Sequence, residues 1–266
     1  MNPVRPEHPL PRDEAAYRRR AALRARLQCV GIVPAPEASP ADVRRLLDAD
    51  ALLAQFVRAS RHSSGTVRAF ASLIADAHED DADTIHWVTR VERAAAELDE
   101  SAARAAALRV CDRERPVVTS WSDLLSHVAA RCGGLAPCTI ETVDRSRGRF
   151  RQRAELLARM LFQMVRNAME ASPRGADVRV RVEECRHEGA RLFHTRVSDA
   201  GAGVDPGLGA RIWEPFVTSR RGHAGLGLAF VAAAAPVVGA AAGVRREAER
   251  TTFHLLVGEE GGLQWE

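Results

Sequence analysis

The sequence predicts an α+β protein, a long helical hairpin followed by an α/β sandwich. Two segments repeat apolar residues at mostly helical intervals, one through Leu46, Leu53, Phe56, Val67, Phe70 and Ile74, the other through Ile85, Val88, Val91, Ala95, Leu98, Ala102 and Ala105. After "CDRERP" (111–116) the pattern changes: short helical stretches mix with period-two runs such as "DVRVRVEEC" (177–185) and "LFHTRVSD" (192–199). Helices and strands interleaved over one continuous stretch read as a single layered unit. A chain of 266 residues with 46% apolar and 27% charged content is long enough, and apolar enough, to build both parts.

Residues 1–39 read as an arginine-rich leader with one short helix over about 13–28 and a Pro-containing loop, "GIVPAPEASP". Ser39, Pro40 and Asp42 form a helix start: a cap, a proline at the first helical position and an acidic first turn. The hairpin then spans 40–112, with "HEDDAD" (78–83) as its polar turn. Two helices carrying one apolar stripe each cannot bury it within a single hairpin, so a homodimeric four-helix bundle is expected. In 113–266, Ser120 caps "WSDLLSHVAAR", "LAPCTIETV" reads as a strand, 153–172 as a strong helix, and "TTFHLLVG" (251–258) as the final strand.

Composition removes several function classes. All 38 Lys+Arg positions are arginine, which excludes a Walker-type phosphate loop, a Schiff-base lysine and covalently held pyridoxal phosphate. A net charge of +3 calls for neither nucleic acid nor an anionic membrane. The five cysteines have no CxxC spacing; Cys132 and Cys138, with His127, fit small buried thiols better than zinc ligands, and a reducing cytoplasm suits the set. The N-terminus has no apolar h-region. "GLGLAFVAAAAPVVGAAAGV" (225–244) is uncharged, but it is Ala- and Gly-rich and broken by Pro236, so a buried helix, a turn and a strand are expected there instead of a membrane span.

Four stretches in the second half carry chemistry. "FQMVRNAMEAS" puts Asn167 on a helix whose other face is apolar. In "VSDAGAGV" a strand ends at Asp199, and Gly201 and Gly203 let the backbone turn close to a ligand. "IWEPFVTSR" is an apolar turn with Phe216 followed by Arg220, and "GHAGLGLAFV" places Gly222, Gly225 and Gly227 at a helix entry, where free N–H groups favour phosphate. In this order and spacing they resemble the N, G1, F and G2 boxes of the GHKL ATPase superfamily, specifically of sensor histidine kinases, over about 113–258. The hairpin is similar to the dimerisation and phosphoacceptor domain of the same kinases.

The resemblance implies ATP and Mg²⁺ as ligands. Asn167 would be the metal ligand, and Asp199 would accept a hydrogen bond from the adenine amino group. Gly201 and Gly203 would bring backbone near the nucleotide, with Phe216 in the intervening box. Gly222, Gly225 and Gly227 would wrap the phosphates, and Arg220 would supply positive charge in the lid. Gln163 stands one turn before Asn167, where hydrolytic members place a glutamate base; an amide cannot take a proton from water. Gly207 and Gly209 read as ordinary turn glycines, His194 as a structural strand residue, and Arg166 with Glu170 as a surface ion pair.

With an ATP site downstream, His62 is the expected phosphoacceptor, since His78 and His86 lie at or just after the hairpin turn. Thr66, one turn on, occupies the place that relatives use in dephosphorylating the partner regulator. The residue after the acceptor is usually acidic; here it is Ser63, which is no base near neutral pH. Loss of a positioned base costs about 10²–10⁴ in rate, so a slow autokinase is expected. The expected function is a cytoplasmic ATP-dependent histidine kinase that passes phosphate to a response-regulator receiver domain and also acts as its phosphatase. The alternative is a weak or inert ATP-binding dimer that regulates a partner by binding. A compact serine kinase of the anti-sigma type would lack residues 40–112.

Overall fold

The computed structural model describes residues 11–36, 40–107, 114–133, 138–187, 190–220, 225–247 and 249–259. The expected cap at Ser39, the strand start at 135–137 and Gly222 lie outside them. The chain divides into two compact units, Arg45–Cys111 and the remainder.

The first unit is the helical hairpin, formed by the body of α2 (Pro40–Ala77) and α3 (Ala82–Ala107). Asp81 opens α3: its carboxylate accepts from the Thr84 hydroxyl at 2.6 Å and from the Asp83 amide at 3.2 Å. These bonds, the Thr84 hydroxyl first, hold the Asp81 carboxyl below its usual range. Buried positions recur every seven residues: Val57, Ser64 and Ala71 on α2, Val88, Ala95 and Ala102 on α3. Small residues dominate this seam. Ser64 donates to the Asp99 carboxylate across it and to the Arg61 carbonyl at 3.2 Å. On α2 the described part of the expected stripe, Val67, Phe70 and Ile74, stays exposed, as do Val91 and Leu98 of the α3 stripe and Trp87 beside it; the side chains of Leu46, Leu53, Phe56 and Ala105 lie outside the described residues.

The second unit is a mixed sheet with helices on both faces. Its six strands run in the order β1 (Val33–Pro34), β7 (Ala240–Glu247), β8 (Arg250–Gly258), β6 (Ala190–Asp199), β5 (Asp177–His187) and β3 (Thr139–Arg145). Among the described strands of this sheet only β3 and β5 pair in parallel. A separate two-stranded sheet joins β2 (Val117–Thr119) to β4 (Phe150–Gln152). On the inner face lie α4 (Trp121–Cys132), α5 (Ala154–Ala171) and α6 (Gly227–Ala234). Trp121, Phe150 and Phe193 form its aromatic centre, with ring centroids 4.5–5.7 Å apart. Ser120 caps α4 by accepting from the Asp123 amide at 3.1 Å. The apolar stretch 225–244 resolves as α6, a turn at 235–239 and most of β7, and no described helix is long and apolar enough to cross a membrane.

The outer face is partly covered by α1 (Pro11–Cys29): Leu23, Leu27 and Ile32 bury against Leu192, Ala241 and Leu256. The loop after α1 then adds β1 to the sheet edge, with Val33 opposite Val244 and Pro34 opposite Gly243. Gly243 is required there, because a Cβ would lie 2.6 Å from the Ile32 Cγ2. Arg245 donates to the Val30 carbonyl at 2.8 Å and Arg20 to the Pro236 carbonyl at 3.3 Å, tying both ends of the segment down. On this face His194 Nε2 and His254 Nδ1 lie 3.0 Å apart. Burial pushes both imidazoles down, to about 4 and about 3, with Arg196 adding repulsion to both.

Candidate nucleotide site

The candidate site forms where α5, the end of β6 and the start of α6 meet. α5 lacks a cap of its own: Arg153 at its N-cap makes no side-chain cap bond. The Glu114 carboxylate does this work from a distance, accepting the Glu155 and Leu156 amides at 2.8 and 2.9 Å. Gln152 fixes the helix entry further, donating to the Val238 and Gly258 carbonyls at 3.1 and 2.9 Å. So anchored, α5 presents Gln163 and Asn167, one turn apart, towards Gly227 at the start of α6. A Cβ on Gly227 would lie 3.1 Å from Gln163 Oε1, 3.1 Å from Asn167 Nδ2 and 3.4 Å from Asn167 Oδ1. Gln163 is only 2% exposed, and its Oε1 makes no hydrogen bond among the described residues. Two amide oxygens at this spot, one without a partner, form the hard donor set that a magnesium ion prefers.

Asp199 ends β6 at 2% exposure and accepts the Gly201 amide at 2.9 Å. Burial raises its carboxyl; the Gly201 amide and the Arg220, Arg246 and Arg250 cations oppose that rise. Gly201 seats on the end of α5, where a Cβ would meet the Ala171 carbonyl oxygen at 2.5 Å. Any side chain there would displace the turn that carries Asp199.

The third component is the stretch from Gly209 to Gly227. A short 3₁₀ helix, Gly209–Trp213, is anchored by buried Ile212 and Trp213, the latter edge-on to Phe253 at 6.3 Å. Phe216 follows, 77% exposed and with φ 65°. That left-handed backbone is costly for a bulky residue. It is held by the Phe216 amide donating to the Gly225 carbonyl at 3.1 Å. Gly225 itself has φ 63°, and a Cβ on it would lie 2.7 Å from the Phe216 and Val217 backbone. Arg220 reaches back to donate to the Asn167 carbonyl at 3.4 Å.

The fold thus gathers Asn167, Asp199, Gly201, Gly203, Phe216, Arg220, Gly225 and Gly227 at one end of the sandwich. His62 and Thr66 belong to the hairpin unit. His62 is exposed on α2, and Thr66 turns its hydroxyl back to the His62 carbonyl at 3.0 Å. Arg166 and Glu170 form the expected i,i+4 ion pair at 3.5 Å.

Arg246, Arg250 and Thr251 were not singled out from the sequence. Asp199, Thr251 and Arg246 pair across β6, β8 and β7, a row of three residues on one face at the sheet's end. Period-two alternation from Leu192, Leu256 and Ala241, which point to the outer face, puts Asp199, Thr251 and Arg246 on the inner face and Arg250 on the outer one; the strand register is what joins the three into a row.

Residues 152–260 match the family described as histidine kinase-, DNA gyrase B- and HSP90-like ATPase. The sensory histidine kinase/phosphatase NtrB of Rhizobium meliloti (strain 1021) is 31% identical over an alignment covering 40% of this chain and 31% of that protein. Among solved structures, full-length ShkA in complex with AMPPNP superposes with a TM-score of 0.63 at 23% identity, covering 80% of this chain and 47% of that one. The Acinetobacter baumannii histidine kinase AdeS superposes at 0.50 and 13% identity, covering 75% and 97%. The chain spans less than half the length of NtrB and of ShkA. The likeness of residues 152–260 is therefore to the histidine kinase-, DNA gyrase B- and HSP90-like ATPases, and the aligned relative is a sensor histidine kinase/phosphatase.

Proposed function

We propose that this chain is an ATP-dependent protein-histidine kinase that autophosphorylates on His62 and passes the phosphoryl group to an aspartate of a response-regulator receiver domain. The observation that carries this reading is the gathering of Asn167, Asp199, Arg220, Gly225 and Gly227 at one end of an ATPase-type sandwich, joined in one chain to a hairpin that exposes His62. Asp199 would read the adenine amino group, and the start of α6 with Arg220 would hold the phosphates. Asn167, with Gln163 beside it, would hold Mg²⁺, whose positive charge offsets that of the triphosphate.

In the reaction, a neutral His62 ring nitrogen attacks the γ-phosphorus in line and the bond from the γ-phosphorus to the β,γ-bridging oxygen breaks. ADP leaves, and the displaced ring proton goes to water. Ser63 is not the base that would speed that last event, so autophosphorylation is slow. Gln163 in turn cannot activate water, so bound ATP is spared for transfer to the histidine. The exposed Val67, Phe70, Ile74, Trp87, Val91 and Leu98 support a homodimer formed through the hairpin. Regulator dephosphorylation assisted by Thr66, and a cytoplasmic setting, complete the reading.

One observation favours a second reading, an ATP-binding dimer that regulates a partner without phosphotransfer: the residue directly after His62 is Ser63, not an acidic one. Incubating wild type and Asn167→Ala with ATP, Mg²⁺ and a panel of receiver domains separates the two. Receiver phosphate that appears with wild type and fails with Asn167→Ala supports the kinase; nucleotide binding with no change in receiver phosphate supports the binding-only dimer.

A further inference from the structure

The row that ends the sheet beside Asp199 contains a cation that nothing above employs. Arg246 on β7 stands opposite Thr251 on β8, which stands opposite Asp199 on β6. Its Nη1 donates to the Gly201 carbonyl at 2.8 Å and to the Thr251 hydroxyl at 3.0 Å. The same guanidinium lies across Gly203, where a Cβ would be 3.1 Å from Nη1. One side chain therefore ties together both glycines of the turn after Asp199 and the neighbouring strand.

We propose that Arg246 is a positioning residue for base recognition: by bridging Gly201 to Thr251 across Gly203 it fixes the turn that aims the Asp199 carboxylate at the adenine amino group. This rests on the nucleotide reading above. A planar guanidinium suits the task because it can donate to two acceptors in fixed directions while its charge faces the carboxylate. Lysine would keep the charge but lose the fixed, in-plane directions of the two Nη1–H bonds. The neighbouring Arg250 is engaged elsewhere, donating to the Asp177 carboxylate at 2.6 Å and the Asp177 carbonyl at 3.1 Å. The buried Asp199 carboxyl is raised by its burial and opposed in part by Arg246, so removing that cation lets it rise further.

The test titrates a fluorescent ADP analogue into wild type, Arg246→Met and Arg246→Lys between pH 5 and 8, with thermal melts of each variant. Arg246→Met weakens binding about tenfold at pH 7.5, the cost of losing charge-assisted bonds. It also moves the acid midpoint of binding upward. Arg246→Lys loses affinity but keeps a midpoint near that of wild type. Wild-type binding with an unchanged affinity and midpoint in Arg246→Met overturns the assignment. So does an affinity loss that follows a lowered melting temperature with no shift in midpoint. If wild type itself fails to bind the analogue, the nucleotide reading fails first and takes this assignment with it.

Discussion

Replacing Gly227 by alanine adds one methyl group where the structure says it matters most for ligand and least for folding. The new Cβ would sit 3.1 Å from Gln163 Oε1 and Asn167 Nδ2 and 3.4 Å from Asn167 Oδ1, so both amides must retreat by a few tenths of an ångström. They are the tips of side chains on α5, not backbone, and can rotate away. Alanine in a helix is meanwhile favoured over glycine by about 0.5–1 kcal/mol. The two effects on stability nearly cancel, and the melting temperature should stay within about 3 °C of wild type. Metal-assisted binding has no such tolerance, since Mg²⁺ demands near-ideal geometry from its oxygen ligands. A displacement of this kind should cost about 10- to 100-fold in the metal-dependent part of nucleotide affinity, roughly 1.4–2.7 kcal/mol. Calorimetric titration with a non-hydrolysable ATP analogue, with and without Mg²⁺, reads that part directly. Unchanged metal dependence in a folded Gly227→Ala protein would refute the placement of Asn167 and Gln163 at the metal. A loss of more than about 10 °C in melting temperature would refute the argument that the side-chain tips can yield.

Three further outcomes follow from the same geometry. Gln163→Glu places a carboxylate where the buried amide now lies, and steady-state phosphate release from ATP should rise at least about tenfold over wild type, a small part of what a positioned base supplies; no rise would contradict the role given to Gln163. The neutral His194–His254 pair stabilises the fold fully above the unfolded imidazole pKa of 6.5, and that contribution is lost as pH falls towards the folded values of about 4 and about 3. By pH 5 the loss is about 2 kcal/mol for each imidazole that would otherwise charge, so His254→Phe should flatten the acid limb of urea-unfolding stability, and a limb as steep as wild type would contradict this. Gly243→Val drives a side chain into Ile32, costing about 1–3 kcal/mol. Trypsin should then cut within the arginine-rich α1 faster than in wild type; equal rates would show that the α1 contact is looser than described.

Much of the architecture was legible because its signals are local. The cap at Ser120, the polar turn at 78–83, the period-two runs of β5 and β6, and the helix–turn–strand reading of 225–244 all depend on neighbours within a turn or two. What escaped depends on partners distant in sequence. Glu114 caps α5 from 41 residues away, and Gln152 is buried by bonds to carbonyls 86 and 106 residues on. The loop read as Pro-containing connection contributes β1, a two-residue strand too short to have a period of its own. On α3 the buried seam runs through Val88, Ala95 and Ala102 of the expected stripe, but on α2 it runs through Val57, Ser64 and Ala71, none of them in the stripe, while Val67, Phe70 and Ile74 stay exposed. The site glycines were recognisable from their spacing, whereas Arg246 joins them only through strand register.

The central claim is that ATP bound by this chain phosphorylates His62. Incubation with γ-labelled ATP and Mg²⁺, followed by acid and base treatment of the protein, tests it most directly. The account predicts a slowly acquired label that is labile in acid, stable in base and absent from His62→Gln. Label of the same character persisting in His62→Gln would contradict the assignment of the acceptor, and no label on wild type with nucleotide bound would contradict the kinase itself.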